Sequence, residues 1–311
     1  MIAQEKILQL QGIIRDQLTP LIDHDYWLLS VPHHTNVGDA LIWQGTMDFL
    51  NTLPFKRKGI SSYYCEVPKK IKADDIIIFN GGGCFGDLWP NSHIFRMKVV
   101  EKYPNNKIIF LPQTVWFEDE NNLKDCVELL SHSHQITICA RDAFSYELLK
   151  KHFSNNIILV PDTAFYINMN KWGRETPTKR TLLMLRGDKE LKRYPLIDKL
   201  EKQDVTITDW IPMCSETTPF KWFRRLRKYF KDFQFMADWY AYLILRPYLI
   251  KSGIKLISSH KKIYSTRLHA AILSVLLDKA KDLTWFDNSY GKNLHFYQTW
   301  LQDCDGIEFI K

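Results

Sequence analysis

The chain has 311 residues, and much of what identifies a protein at first sight is missing from it. No stretch approaches the ~20 apolar residues that a membrane span needs. The best candidate, Trp239–Ile250, is short and is broken by Arg246 and Pro247. The first eighteen residues carry Glu5, Lys6, Arg15 and Asp16 without an apolar core, so no secretory signal is expected there. The six cysteines, Cys65, Cys84, Cys126, Cys139, Cys214 and Cys304, form no CxxC pair. That argues against a zinc site or a disulfide framework and for free thiols in a reducing compartment. No internal repeat and no low-complexity tract is present. With 45% hydrophobic and 25% charged residues, the composition excludes a disordered or fibrous chain. Ten Trp among 14% aromatics point to ring-lined clefts or surfaces. A net charge of +7 and a pI of about 8.9 suit nucleic acid, an anionic membrane surface or anionic small molecules, without choosing between them.

What is present is alternation. Residues 1–20 place Ile2, Ile7, Leu8, Leu10, Ile13, Ile14 and Leu18 at helical spacing. Strands are then expected at Tyr26–Val31, Ile76–Asn80, Lys107–Leu111, Gln135–Cys139 and Ile157–Val160. Helices are expected between them at Asp39–Leu50, His93–Lys102, Leu123–Ser131 and Ala143–His152. A polar stretch, Asn168–Arg180, reads as a linker. A second set follows, with strands at Thr181–Leu185, Val205–Thr208, Ile254–Ser258, Lys262–Ser265 and Leu283–Asp287. Its helices are Leu191–Gln203, a long segment from Pro219 to Ser252, Leu268–Leu277 and Asn293–Gln302. Repeated β-α-β order argues a parallel sheet with helices on both faces. The expected fold is therefore α/β: two Rossmann-like, doubly wound domains, residues 1–170 and 171–311, facing a cleft.

The unusual residues collect just after the strands, where open α/β sheets bind ligands. After the first strand comes His33-His34-Thr35-Asn36-Val37-Gly38-Asp39, in which Asp39 sits at a helix start and reads either as an N-cap or as a functional carboxylate. Adjacent histidines diverge, so no metal is expected at His33-His34. The run Gly81-Gly82-Gly83-Cys84-Phe85-Gly86-Asp87 matches GxGxxG. Asp87 near the phosphate position, and the lack of an acidic residue after the next strand, argue against a dinucleotide. Three further strand ends carry Arg141-Asp142, Arg186-Gly187-Asp188-Lys189-Glu190 and Arg267-Leu268-His269. A single such Arg is ordinarily a salt bridge. Three of them at strand ends form an expected anion clamp, since guanidinium pairs with carboxylate and phosphate in two parallel hydrogen bonds. His269, two residues past Arg267, is the expected titrating group.

The stretch 219–231 holds six basic residues and no acid, interleaved with Phe, Trp and Tyr. It reads as an anionic-membrane contact, as an RNA-binding segment with the same ingredients, or as a plain solvated helix with one packed aromatic face.

Together these segments resemble the polysaccharide pyruvyl transferase family. The resemblance rests on Asn36-Val37-Gly38-Asp39, Gly81-Gly82-Gly83 through Gly86-Asp87-Leu88-Trp89, Arg141-Asp142, Arg186-Gly187-Asp188-Lys189-Glu190, Arg267-Leu268-His269-Ala270 and Asp287-Asn288-Ser289-Tyr290-Gly291-Lys292-Asn293 with Phe296-Tyr297 and Trp300. Two departures stand out: Thr266 occupies a position that is often acidic in the family, and Asp278-Lys279-Ala280 replaces a Gly-x-Pro turn. The resemblance implies a GT-B-like fold. It also implies an enzyme moving a pyruvyl group from phosphoenolpyruvate onto two hydroxyls of a sugar, as a cyclic ketal, in bacterial exopolysaccharide or capsule biosynthesis. Phosphoenolpyruvate is then the donor substrate, and neither a cofactor nor a metal is required. Arg141, Arg186, Arg267, Asn36, Gly82, Gly83, Ser289 and Lys292 are expected to bind substrate. His269 is the expected acid, with Asp39 or Asp87 accepting hydroxyl protons. The expected partners are phosphoenolpyruvate and a saccharide acceptor, free or lipid-diphosphate-linked, with 219–231 as a peripheral membrane contact and no nucleic acid. The expected location is cytoplasmic, at the inner membrane face. The rival reading is a GT-B glycosyltransferase using a nucleotide sugar.

Overall fold

A computed structural model describes residues 1–133, 135–229 and 234–311. The chain divides into two compact units. The first comprises residues 11–33 and 42–167; the second comprises 1–10, 34–41 and 168–311. The loop bearing Asn36 and Asp39 thus counts with the second unit.

The strands of the first unit are β1 (Tyr26–Val31), β2 (Arg57–Ser62), β3 (Ile76–Phe79), β4 (Gly82–Gly86), β5 (Ile108–Trp116), β6 (Ile136–Ala140) and β7 (Asn156–Leu159). They run parallel in the order β2-β1-β3-β5-β6-β7, with β4 also paired to β5. The central strands are buried because both of their faces are covered: all four residues of β3 are buried and apolar, and the first eight of β5 are buried, with only Gln113 and Thr114 polar among them. Phe79, Phe85, Phe110, Val115 and Ile138 lie in one core cluster. Helices α1 (Ala3–Leu18) and α2 (Val37–Leu50) start in the second unit and end in the first, whose remaining helices are α3 (Pro90–Lys102), α4 (Glu120–Ser131) and α5 (Ala143–His152). Asp119 and Asp142 cap α4 and α5, accepting from the backbone N–H groups of Asn121 and Ser145.

In the second unit, β8 (Lys179–Met184), β9 (Thr206–Thr208), β10 (His260–Ser265), β11 (Leu283–Phe286) and β12 (Glu308–Ile310) form a parallel sheet in the order β12-β11-β10-β8-β9. Its helices are α6 (Pro195–Leu200), α7 (Trp210–Ser215), α8 (Thr218–Tyr229), α9 (Gln234–Tyr240), α10 (Arg246–Ser258), α11 (Leu268–Leu276) and α12 (Lys292–Phe296). The fold is α/β with parallel sheets, as the alternation implies.

Four local expectations need correction. The glycine-rich segment after β3 is a strand and not a loop. Here β3 pairs with Ile108–Phe110 of β5, breaks at Asn80-Gly81, and resumes as β4 along Gln113–Trp116 of the same strand. Gly86, at φ +116°, could not carry a side chain, since a Cβ there would lie 1.8 Å from the Trp116 carbonyl oxygen. Second, Ile254–Ser258 is the end of α10. Leu249, Ile250, Ile254 and Ile257 are buried together at helical spacing, and that outweighs the strand-like look of the last five residues. Third, the segment 219–252 is broken into α8, α9, a π-helical turn at Ala241–Leu245 and α10; Phe230 and Lys231 lie outside the described residues. Fourth, helix 191–203 shortens to α6, whose start is set by Pro195 at its first position.

Both sheets have a topological switch point. In the first, the chain leaves β1 to one side for β2 and returns to the other side for β3; in the second, β9 and β10 flank β8 in the same way. Ligands of open parallel sheets bind beyond the carboxyl ends at such points. The segments that follow β8 and β10 begin at Leu185 and Thr266.

Candidate functional site

The second-unit switch point carries a dense charge network. Arg267, at the N-cap of α11, forks onto Asp209, with Nε to Oδ1 at 2.7 Å and Nη2 to Oδ2 at 2.5 Å. Its Nη1 lies 3.1 Å from Asp188 Oδ2. Arg186 forks onto the same Asp188, at 2.7 and 3.1 Å, and reaches Glu190 at 2.8 Å. Glu190 Oε2 also accepts from Lys292 Nζ at 2.9 Å, and from Asn288 Nδ2 and the Tyr290 hydroxyl at 3.0 Å each. Ser289 donates its backbone N–H to the Glu190 carbonyl. Burial pushes the Glu190 carboxyl up, but Lys292 and Arg186 outweigh it and hold the group well below the usual carboxylate range. Asp188 is likewise lowered against its own burial by Arg186 and Arg267.

Three cations thus face three carboxylates, and Arg186 and Arg267 are engaged before any ligand arrives. Asp209 is the member that the sequence reading missed. Its one signal was its position between β9 and α7, where it caps the helix by accepting from the Trp210 N–H at 2.7 Å.

Beside Arg267, on the first turn of α11, stands half-buried His269. Its ring lies against the backbone of Gly38: a Cβ on Gly38 would fall 2.6 Å from Nδ1 and 2.9 Å from Cγ. The loop around Gly38 is self-braced. Asn36 Oδ1 accepts from the Gly38 N–H at 3.0 Å, and Asn36 Nδ2 donates to Asp39 Oδ2 at 2.8 Å. His34 Nδ1 accepts from the Asn36 N–H at 3.3 Å, while its Nε2 lies 3.5 Å from the same Asp39 oxygen. Burial lowers the His34 pKa and Asp39 opposes this, so the neutral ring, protonated on Nε2, faces the carboxylate. Asn36, Asp39 and His269 therefore share a unit with Arg186, Arg267, Ser289 and Lys292.

The other expected site residues, Gly82, Gly83, Asp87 and Arg141, lie in the first unit. Gly82 and Gly83 are strand residues of β4. Asp87 accepts from the backbone N–H groups of Glu118 and Asp119 at 2.8 and 2.9 Å and from Asn122 at 3.1 Å. Burial raises its pKa, but these donors prevail and lower it, which makes it a weak base. Arg141 is 1% exposed. It pairs with the equally buried Asp162 at 2.9 Å and donates twice to Thr114 Oγ1, at 3.0 and 2.7 Å. Its neighbour Asp142 caps α5, so the Arg-Asp pair ties β5, β6 and α5 together.

A second first-unit cluster escaped the sequence reading. Buried Arg96 on α3 donates to Ser30 Oγ at 3.2 Å, Gln113 Oε1 at 2.9 Å and the Asn80 carbonyl at 3.0 Å, at the ends of β1 and β3 and within β5. Ser30 has φ +62°, a left-handed conformation that costs a non-glycine residue ~1–2 kcal/mol. The signal available was a charge on the buried stripe of α3, in register with Ser92, Phe95, Val99 and Val100. Past β2, an open groove of about 500 Å³ is lined by Tyr63, Tyr64, Glu66, Asn91, Ile94 and Lys98. The two tyrosine rings lie 4.3 Å apart at 36°.

A sequence profile of the polysaccharide pyruvyl transferase family matches residues 36–280. The chain belongs to that family. It is 30% identical to the Bacillus subtilis protein named "Putative pyruvyl transferase EpsO", over 99% of this chain and 93% of that one. It is 30% identical to General stress protein 30 of the same organism, covering 91% and 80% of the two chains. Pyruvyl transferase 1 of Schizosaccharomyces pombe is 25% identical over 91% of this chain and 72% of its own. A crystal structure of a functionally uncharacterised Klebsiella pneumoniae protein superposes with a TM-score of 0.65 at 19% identity, over 97% of this chain and 98% of that one, a likeness of fold. Among the described residues no helix is long and apolar enough to cross a membrane.

Proposed function

We propose that this chain transfers the pyruvyl group of phosphoenolpyruvate to two hydroxyls of one saccharide, forming a cyclic ketal and releasing inorganic phosphate. The saccharide is a building block of a surface polysaccharide, carried on a lipid diphosphate. A proton delivered to the methylene carbon makes C2 cationic, and the first sugar hydroxyl adds there and loses its proton. The C2–O bond to phosphate then breaks, phosphate leaves, and the second hydroxyl closes the ring as it loses its proton. One proton is taken up at carbon, two are lost from the hydroxyls and one leaves with phosphate, so the reaction balances without a redox partner.

The observation that carries this reading is the seating of His269 against Gly38. It joins an imidazole, the Asp39 carboxylate and the Arg267 network within one unit. In the proposed mechanism His269 is the acid toward carbon and Asp39 accepts a hydroxyl proton. The start of α11 next to Arg267 adds a partial positive charge suited to the donor's phosphate. Because Arg186 and Arg267 are held by carboxylates, the donor's anionic groups meet a preorganised network of three cations and three carboxylates.

The test is phosphate release and mass gain on incubation with phosphoenolpyruvate and lipid-linked saccharides. His269→Gln should retain donor binding within severalfold and lose ~10²–10⁴ in turnover, the share of one acid–base group. Near-normal turnover in that variant would remove His269 as the acid. Absence of phosphate release with every acceptor, while UDP-sugars are consumed, would overturn the reading.

A further inference from the structure

Helix α8 and its successor carry a feature that the chemistry above does not use. Between Thr218 and Tyr229 the helix bears Lys221, Arg224, Arg225, Arg227 and Lys228 and no acidic residue. One side of it is anchored: Phe223 is buried, stacks on Phe220 and Tyr240 at 6.1 and 6.3 Å, and has Arg227 above its ring. Tyr240 in turn donates its hydroxyl to the Pro219 carbonyl at 3.0 Å, so α8 is pinned to the end of α9.

The remaining surface is unusually apolar for a charged helix pair. Trp222 is 52% exposed, Tyr229 71%, Phe235 67% and Trp239 59%. Leu243 and Ile244, on the π-helical turn that follows α9, are exposed as well. Trp222, Arg225 and Tyr229 recur at i, i+3 and i+7, one face of α8, and the Arg225 guanidinium lies over the Trp222 ring at 5.2 Å. Phe235 and Trp239 recur at i and i+4, one face of α9. Monomeric proteins rarely leave so many large apolar side chains in water without a partner.

We propose that the α8–α9 pair is a peripheral anchor for an anionic lipid bilayer. The choice of occupant rests on charge. A cationic helix with aromatic residues at its border, each a flat amphipathic ring, matches the headgroup boundary of an acidic membrane. A second copy of this chain would have to bring its own Arg224, Arg225 and Lys228 against these, like charge on like. Lys221 has one acidic neighbour, Glu216 at 3.3 Å, whereas Arg224, Arg225 and Lys228 are exposed, within reach of headgroup phosphates. This proposal stands on the surface alone and does not depend on the pyruvyl reaction.

The experiment is sedimentation of the full chain with vesicles of phosphatidylcholine, with and without phosphatidylglycerol. The wild type should sediment with the anionic vesicles and be released by salt. Replacing Arg224, Arg225 and Lys228 with Gln should weaken binding roughly a hundredfold, about fivefold for each basic residue near such a surface. Replacing Trp222, Phe235 and Trp239 with Ser should also reduce binding, while leaving the residual attraction salt-sensitive. All six side chains are exposed, so the melting temperatures of both variants should match the wild type. The proposal fails if the wild type stays in the supernatant. It also fails if neither variant changes the bound fraction, or if the Ser variant instead converts a dimer to a monomer. RNA that competes with vesicles for the aromatic residues as well as for the basic ones would reassign the surface to nucleic acid.

Discussion

Gly38 and His269 occupy a space that admits only one side chain. The ring of His269 lies where a methyl group on residue 38 would have to go, 2.6 Å from Nδ1. Such overlap forces the ring to move, because the backbone of residues 36–39 is held by the Asn36 amide.

Gly38→Ala should therefore act as a displaced-histidine variant. A shift of about 1 Å in a reacting group can cost ~10²-fold in rate. Turnover, read as phosphate release, should fall by at least tenfold, with phosphoenolpyruvate affinity changed severalfold at most and the fold intact by circular dichroism. Unchanged turnover would mean that the position of the ring is immaterial to the chemistry.

Arg141 should behave as a stability residue. Its guanidinium and the Asp162 carboxylate are each 1% exposed and 2.9 Å apart. Removing one member of a buried pair leaves the other charge uncompensated, at a cost of ~3–5 kcal/mol. Arg141→Ala should lower the urea midpoint sharply, whereas Arg141→Met with Asp162→Leu should recover much of the loss, since two apolar residues leave no charge behind. If Arg141→Ala melted like the wild type while losing donor affinity, the residue would belong to the donor site.

The first unit should weaken in mild acid. His93 accepts the Gly86 N–H at Nδ1 and is held neutral, its pKa pushed down to about 4 by burial and by Arg96, against the pull of Asp87. The folded state thus binds its proton less readily than the unfolded chain, whose histidine titrates near ~6.5. The sign follows: the stabilisation is complete above pH ~6.5 and is lost progressively as the pH falls toward 4, by up to ~3 kcal/mol. Chemical denaturation across that window should show the slope, and His93→Gln should flatten it. Glu190, with its depressed carboxyl, adds a second loss only below its unfolded value near pH ~4.3.

Much of the architecture was legible because burial on both faces of a parallel strand demands an uninterrupted apolar run. Tyr26–Val31 emerged with the expected bounds, and Ile76–Phe79 within one residue of them. The weaker elements were hidden for stated reasons. Strand β2, Arg57–Ser62, carries Arg57 and Lys58 because it is an edge strand, where charge protects against pairing. Strand β4 is written in glycine, the residue of loops, because it squeezes past the Trp116 carbonyl. Ile254–Ser258 looked like a strand because five residues do not separate period 2 from period 3.6; the preceding turns of α10 do.

The candidate site divides along the same line. That Arg186, Arg267 and His269 stand at strand ends is a local property, readable from an apolar run followed by a helix start. What those ends meet is not local. Asp209 reaches Arg267 across 58 residues, and Lys292 reaches Glu190 across 102. Sequence spacing carries no trace of such pairings, so an expected set of open arginines became a balanced network. Strand order did this: β8 and β10 are hydrogen-bonded neighbours although 75 residues separate their ends. The chain's residue types set which chemistry was available, through charge, ring and hydroxyl. The tertiary structure decided which charges neutralise one another and which ring stands against a bare glycine, because only folding removes water from between groups far apart in the chain.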